Sequence, residues 1–480
     1  MNLLTSLLTL FCVVARADGL DDAEALLQQG RSAAAMSTLR NHIDANPDDV
    51  SAHELLIDLY LNAGLLYEIE EAYKQHVDQQ AASADAWYLL GRATVAPDRS
   101  ARAFERALQI DPDHARTRMG QAALRRVAKD LEGAQRDYTA ALERDPSLEE
   151  AWVGLWTVQQ QLGATRAATE TAARASVAIP SLPEAWLTLA TLQPAQAPRH
   201  LAEGLKHSPQ DPRLLSAFAR QMFLTQDTNQ AMVAYDRALA RSPEDARLRL
   251  ERSLLTEIGD QRLSWPGAIV LRDARNAPGD PTMMRQIDQT ISQHPRSAVG
   301  RVIRGNLRQG SGDVAGAMDD LQTALSINPE SPAANAAMGL LLLSQREPEK
   351  AIGPLKIAAT ARPDDVALGV ATAVAIAEGE SPRAGAAALI ALHQQFPASE
   401  GPPMALAQMM LQLGDAEGAM MVLQEAVQLN PEPKMVIMLA SAAQQAGKPQ
   451  QAGEALLVLA RQTGDPRLEK IAEQLKGNAP

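Results

Sequence analysis

Apolar residues recur along the chain at the spacing of amphipathic helices. In residues 149–180, Trp152, Leu155 and Trp156 lie at i, i+3 and i+4 and share one helical face. Gly163 follows where two antiparallel helices need a tight turn. The second half of the stretch repeats the helical spacing with small residues: Ala168, Ala172 and Ala175. The pattern predicts a helical hairpin, which cannot bury its apolar face alone and must pack on neighbours.

Prolines indicate that this hairpin is repeated. They recur every 34 residues in three series, which are Pro112, Pro146 and Pro180, then Pro209 and Pro243, then Pro295, Pro329, Pro363, Pro397 and Pro431. Most of them follow an Ala/Leu-rich helix end, and several follow Asp, Asn or Ser directly. Such a step predicts that one helix ends at this point and that the polar residue caps the next helix. A fixed period of this length indicates a repeat architecture.

Individual copies of the repeat carry a recognisable motif. Its elements are Trp87, Leu90 and Gly91 in a first helix, Ala134, Tyr138 and Ala141 in a second helix, and Ala317, Leu321 and Ala324 as an aliphatic version. On these residues and the 34-residue period, the chain resembles tetratricopeptide-repeat proteins. The resemblance implies an all-α, right-handed superhelical solenoid of about twelve to thirteen helix-turn-helix repeats. It also implies that the first helix of each repeat lines a concave groove.

The period is interrupted most strongly between Pro243 and Pro295, where 18 extra residues are present. Residues 265–267 and 276–281 are typical of loops, and residues 268–275 predict a short helix between them. We interpret the insert as a joint between two arrays; the alternative is a binding loop over the groove. The predicted division is an N-terminal array at 18–258, a joint with the second helix of the interrupted repeat at 259–294, a C-terminal array at 295–465 and a capping helix at 466–480.

Residues 1–17 differ from the rest of the chain. Leu3 to Val14 is an apolar run too short to span a bilayer as a helix, and Ala15-Arg16-Ala17 fits a signal-peptide cleavage site. Cys12, the single cysteine, lies inside this segment. We therefore expect a signal peptide at 1–17, no membrane span after its removal, and a periplasmic location in a Gram-negative bacterium. The alternative is an N-terminal core helix.

Composition and motifs exclude several classes of function. A net charge of -13 disfavours nucleic acid as a partner, because phosphates require a basic face. The chain has no His-Glu-x-x-His pair, no phosphate-binding glycine loop and no Gly-x-Ser-x-Gly turn. His200 and His207 are spaced to share a helical face, without a third ligand nearby in sequence. We predict no catalytic residue, no cofactor and no metal.

The first helices provide the predicted binding surface. In the N-terminal half they carry charged residues: Glu54, Asp58, Arg92, Arg116, Arg126, Glu150, Arg213 and Arg220. In the C-terminal half they are apolar, and the partner-binding residues predicted there are Ala336, Leu340, Leu343, Val370, Val374, Met404, Leu411, Met435 and Met438. An apolar groove with methionines fits a protein partner, as an amphipathic helix or an extended segment. The alternative is that these side chains pack on one another.

The resemblance to exported bacterial members of the family implies a non-catalytic scaffold in envelope assembly. Polysaccharide secretion, cytochrome c maturation and pilus or outer-membrane biogenesis are equally compatible with the residues. One alternative is a subunit that captures a substrate or glycan for an envelope enzyme or export complex. Another is a self-assembling scaffold, in which a second copy of the chain occupies the apolar groove.

Overall fold

A computed structural model describes residues 19–27, 31–243, 245–274, 279–397, 399–429, 433–463 and 466–477. Over these residues the chain forms α-helices and one short 3-10 helix, without a strand. The first fourteen α-helices are α1 (19–27), α2 (Ser32–Ala45), α3 (Val50–Asn62), α4 (Leu66–Gln79), α5 (Ala84–Ala93), α6 (Pro97–Ile110), α7 (Ala115–Val127), α8 (Leu131–Arg144), α9 (Glu149–Gln161), α10 (Thr165–Ala178), α11 (Pro183–Leu192), α12 (Ala197–His207), α13 (Pro212–Leu224) and α14 (Thr228–Arg241).

The remaining helices are α15 (Ala246–Gly259), α16 (Trp265–Asp273), α17 (Pro281–Gln293), α18 (Ala298–Gly310), α19 (Val314–Ile327), α20 (Pro332–Ser344), α21 (Pro348–Ala361), α22 (Val366–Gly379), α23 (Pro382–Gln395), α24 (Gly401–Gln412), α25 (Ala416–Leu429), α26 (Pro433–Gln445), α27 (Pro449–Thr463) and α28 (Pro466–Gly477). The 3-10 helix is Pro194–Gln196, between α11 and α12. The predicted signal peptide lies outside the described residues. None of the described helices is both long enough and apolar enough to cross a membrane.

The predicted hairpin at 149–180 is confirmed. Helices α9 and α10 pack on each other, and Gly163 makes the turn between them with a φ of 73°, a backbone conformation that glycine adopts without steric cost. Trp152 and Trp156 are buried, and Ala168 is fully enclosed. Gly154 lies against the ring of Tyr138 with no room for a side chain. A glycine at this position therefore lets α9 approach Tyr138 of α8 closely.

The helix-turn-helix repeat and the all-α fold are confirmed. Consecutive helices pack as pairs, among them α5 with α6, α7 with α8, α18 with α19, and α20 with α21. The prediction about the polar residue before proline is half right. Asp145 ends α8 and Ser242 ends α14, but the next helix is capped further on, as where Asp245 accepts from the backbone N–H groups of Arg247 and Leu248. The residue before the proline therefore ends one helix, and a later residue of the turn caps the next helix. The superhelical handedness stays a prediction.

The chain divides into two compact units, each with its own core. Unit 1 comprises the described residues up to 179 and from 410 onward, and unit 2 comprises those between 180 and 409. In unit 1, a core cluster runs from α1 to α6 and includes the fully buried Ile57 and Tyr88. In unit 2, one cluster contains Phe223 and Leu255, and another contains Leu341. Small and aliphatic residues make up most of these cores.

The insert after Gly259 contributes a helix to the core of unit 2. Helix α16 begins at Trp265, so the prediction of a loop at 265–267 is wrong. The Ser264 hydroxyl caps this helix by accepting from the Gly267 N–H, and proline is tolerated in a first helical turn. Leu271 is fully buried, and Trp265 packs edge-on against Phe223. The proposed division of the array at this insert stays a prediction.

Candidate functional site

The predicted charged residues of unit 1 form a connected network on the first helices. Arg92 of α5 binds Asp58 of α3 and Glu150 of α9, each at 2.8 Å. Arg116 of α7 binds Glu54 of α3 at 3.0 Å, and the Tyr88 hydroxyl donates to the same carboxylate. The network therefore links four successive first helices. Each of its charged groups has a partner within the protein.

Burial and charge both act on this network. Burial raises the pKa of Glu54, and hydrogen bonding from Tyr88 together with the charges of Arg116 and Arg92 opposes that rise. Burial on its own lowers the pKa of Arg92, but the surrounding acidic groups outweigh it and the pKa is raised. Arg92 therefore stays charged and holds its two carboxylates in place.

The three remaining predicted arginines lie outside this network. Arg126 lies beside Tyr138 in unit 1. In unit 2, Arg213 is paired with Glu184, and Arg220 lies 3.6 Å from Glu251.

Unit 2 contains an open groove with a volume of about 740 Å³. It lies along α15, α18 and α20, which are the first helices of successive repeats, and reaches the turn after α21. Its apolar floor includes Val299 and Ile303 of α18 and Leu340 of α20. Leu340 is 44% exposed. The groove therefore presents apolar surface that the unit itself leaves uncovered.

The groove also carries more basic than acidic groups. Four arginines line it, which are Arg249, Arg252, Arg262 and Arg362, against a single lining carboxylate, Glu257. Glu257 is 2% exposed and accepts from the Ser297 hydroxyl and the Val299 N–H. Its charge is thus used to hold the start of α18. Three of the arginines bind aspartates at the edge of the groove: Arg249 to Asp365, Arg252 to Asp236 and Arg262 to Asp260.

Arg362 differs from the other three arginines. Across the part of the chain that the structure describes, its side chain forms no ion pair or hydrogen bond. Burial, followed by the nearby charge of Arg249, lowers the pKa of the Arg362 guanidinium. The charge of Asp365 opposes this decrease but does not cancel it. Asp365 is already bound to Arg249 at 3.2 Å. The charge of Asp365 therefore acts on two guanidinium groups but forms an ion pair with Arg249 only.

The structure brings only part of the predicted apolar surface together. Ala336 and Leu340 line the groove, although Ala336 is only 7% exposed. Leu343, Val370, Val374 and Met404 are half-buried residues of unit 2 outside the groove lining. Leu411, Met435 and Met438 belong to unit 1, where Met435 is 1% exposed. The partner-binding role of this set stays a prediction.

Sequence reasoning missed the arginines of the groove. Arg249 and Arg252 lie three residues apart on α15, so a helical-face analysis of the repeat before the insert contained a signal for them. Arg362 lies in the turn between α21 and α22, where the repeat pattern assigns no facing direction. Its isolation depends on the three-dimensional arrangement of its neighbours.

Other clusters have local structural roles. No group of three or more potential ligands for a metal ion is present among the described residues. His200 binds the Gln193 side-chain oxygen at 2.7 Å, whereas the His207 ring stacks on Trp186. Ser264 and His294 are hydrogen-bonded at 2.9 Å, and Ser264 also caps α16. These polar groups connect neighbouring turns.

Comparison with known proteins agrees with the repeat architecture. The family model described as tetratricopeptide repeat matches residues 20–68 and 304–366. Together with the helical hairpins at a 34-residue period, this match supports a tetratricopeptide-repeat protein. Proteins of this family typically act as scaffolds for protein–protein interaction. No curated protein matches the sequence.

Solved structures of low sequence identity also align with the chain. Naa15/Naa10 bound to HypK-THB aligns at 13% identity over 96% of both chains, with a TM-score of 0.33. The Cut9-Hcn1 hetero-tetramer of APC/C aligns at 14% identity over 94% of this chain and 88% of its own, with a TM-score of 0.34. A tetratricopeptide repeat protein from Parabacteroides merdae ATCC 43184 aligns at 14% identity over 56% of this chain and all of its own, with a TM-score of 0.32.

Proposed function

We propose that the chain is a non-catalytic scaffold that binds a segment of a partner protein in the groove of unit 2. The observation that carries the proposal is the apolar groove floor along α15, α18 and α20. A groove of this kind fits the apolar face of a helix or an extended segment. Leu340 is the most exposed large apolar side chain of the floor and is the expected anchor point.

We further propose that the scaffold acts in the periplasm of a Gram-negative bacterium, in assembly of the cell envelope. The apolar run at 3–14 and the following Ala15-Arg16-Ala17 support export. An exported chain whose one cysteine is removed with its leader suits an oxidising compartment. Polysaccharide secretion, cytochrome c maturation and pilus or outer-membrane biogenesis are the candidate processes.

Site-specific photo-crosslinking in the native host tests both parts of the proposal. A photoreactive residue at position 340 is expected to crosslink one partner protein in the periplasmic fraction, whereas the same residue at position 224 is expected to crosslink none. Leu224 is a matched control because it is 56% exposed at the end of α13 in the same unit. A chain that remains cytoplasmic with residues 1–17 intact would refute export. Equal crosslinking from both positions would refute the groove as the binding site.

A further inference from the structure

The charge of the groove restricts the kind of segment that fits it. The chain as a whole is acidic, with a net charge of -13, yet the groove lining reverses that sign. Its one carboxylate, Glu257, is hydrogen-bonded to Ser297 and Val299 and is 2% exposed. Asp365, Asp236 and Asp260 at the groove edge are bound to the other three arginines, so a basic segment would find no unpaired carboxylate, whereas Arg362 is left for an acidic one. An acidic segment would meet complementary charge.

Arg362 provides a specific contact point for such a segment. Its side chain lines the groove, forms no ion pair or hydrogen bond among the described residues, and lies near Arg249. A half-buried cation without a partner is costly, because its lost hydration is not replaced. A carboxylate from a bound segment would form a charge-assisted hydrogen bond with Arg362 and also reduce its repulsion from Arg249. Asp365 cannot supply this contact in full, since it binds Arg249 at 3.2 Å.

The size of the groove agrees with a short helical contact. A volume of about 740 Å³ corresponds to about two turns of a helix about 10 Å in diameter. Two turns of an amphipathic helix present about three or four apolar side chains on one face, which can pack on the floor at Val299, Ile303 and Leu340. We propose that the partner segment is an acidic amphipathic helix whose apolar face packs on this floor and whose carboxylate binds Arg362. This inference rests on the proposed function.

Three synthetic peptides of about five helical turns test the inference on the full-length chain. They share one leucine face and carry Glu, Gln or Lys at the polar positions, and binding is measured by fluorescence anisotropy at low and high ionic strength. We expect the Glu peptide to bind about tenfold or more tighter than the Gln peptide, and the Lys peptide to bind weakest. Higher ionic strength is expected to reduce the difference.

Variants of Arg362 test whether this residue is the source of the preference for the Glu peptide. Arg362→Met is expected to abolish the advantage of the Glu peptide, and Arg362→Lys to keep part of it, with unchanged circular dichroism in both. Arg166→Met is the control, because Arg166 is a fully solvated arginine of unit 1 with 94% side-chain exposure. The control is expected to keep the full preference.

The possible failures are distinguishable. If all three peptides bind equally well, the acidic-helix inference is overturned while the proposed function stands. If no peptide binds, the proposed function fails with it. Dodecanoate, a small anionic amphiphile, is the final probe. If it binds in a manner that depends on Arg362 while no peptide binds, the groove takes a different class of ligand. That result would overturn both the acidic-helix inference and the proposed function.

Discussion

Charged side chains occupy the first helices in both units, but their environments differ. In unit 1, Arg92 binds two carboxylates and Arg116 binds a third. In unit 2, Arg362 lines an apolar groove and has no partner within the described part of the chain. The comparison separates two uses of an arginine, one on a first helix and the other in the turn between α21 and α22. Paired charges connect neighbouring repeats, whereas an unpaired charge beside exposed apolar surface indicates a binding site.

The difference has an energetic reason. A partly buried ion pair is destabilised strongly when one partner is lost, because the other charge remains without compensation. An unpaired arginine already bears its desolvation cost in the absence of a ligand. Loss of Arg92 and loss of Arg362 are therefore expected to have different consequences, one for stability and the other for binding. Mutations can test this directly.

The largest effect on stability is expected for Arg92→Met. This change removes the charge that holds Asp58 and Glu150, and we expect it to destabilise the region around α5 by about 2 kcal/mol. Hydrogen exchange of the α5 amides measures the local opening free energy, which suits an array that opens repeat by repeat. Arg166→Met, at an exposed pair with Glu170, is expected to change it by less than about 0.5 kcal/mol. Equal effects of the two variants would contradict a structural role for the network.

The fold was predictable because each repeat encodes its own packing. Trp152 and Trp156 lie on one face by helical spacing, and both are buried. The 34-residue period then places equivalent residues of the next repeat in the same environment. Local pattern and long-range contact agree in such an architecture, since each repeat packs mainly on its neighbours.

The candidate site was only partly predictable, because its decisive features are not periodic. Leu340, 11 residues after Pro329, and Met435, 4 residues after Pro431, fall on the same face of a first helix by helical spacing, yet Leu340 is 44% exposed and Met435 is 1% exposed. Spacing alone does not distinguish the groove from a contact with a neighbouring helix. The pair of Arg249 and Asp365 joins residues that are distant in sequence. This contact leaves Arg362 unpaired and has no signature in the repeat pattern.

A smaller effect is expected from acidification around His53 in unit 1. Its Nε2–H donates to the Pro47 carbonyl at 3.0 Å, so Nδ1 accepts from the Tyr73 hydroxyl at 2.7 Å. Burial lowers the pKa of His53 below 6.5, and the charge of His76 acts in the same direction, whereas the Pro47 hydrogen bond and Asp48 and Asp49 oppose it. The unfolded chain therefore binds the proton first as the pH falls. The stabilising contribution is complete above about pH 6.5 and decreases as the pH falls toward the folded-state pKa.

Hydrogen exchange of the α3 amides, corrected for the intrinsic pH dependence of exchange, measures this change. Protection is expected to decrease from about pH 7.5 to about pH 5.5, and His53→Gln is expected to show a smaller decrease than the unchanged chain. A decrease of the same size in His53→Gln would assign the pH dependence to another group. The result would sharpen the comparison of the two units, because it tests whether neutral hydrogen bonds, as well as ion pairs, contribute to the stability of unit 1.

The smallest effect on stability is expected for Arg362→Met. The arginine has no partner to lose within the described residues, and methionine can pack against the groove floor with an apolar side chain of similar length. We expect the opening free energy of α20 and α22 to change by less than about 0.5 kcal/mol or to increase slightly. Hydrogen exchange of these two helices measures it under the conditions used for Arg92→Met. A loss comparable to that of Arg92→Met would show that Arg362 stabilises unit 2, and the contrast between a paired structural charge and a free binding charge would then be lost.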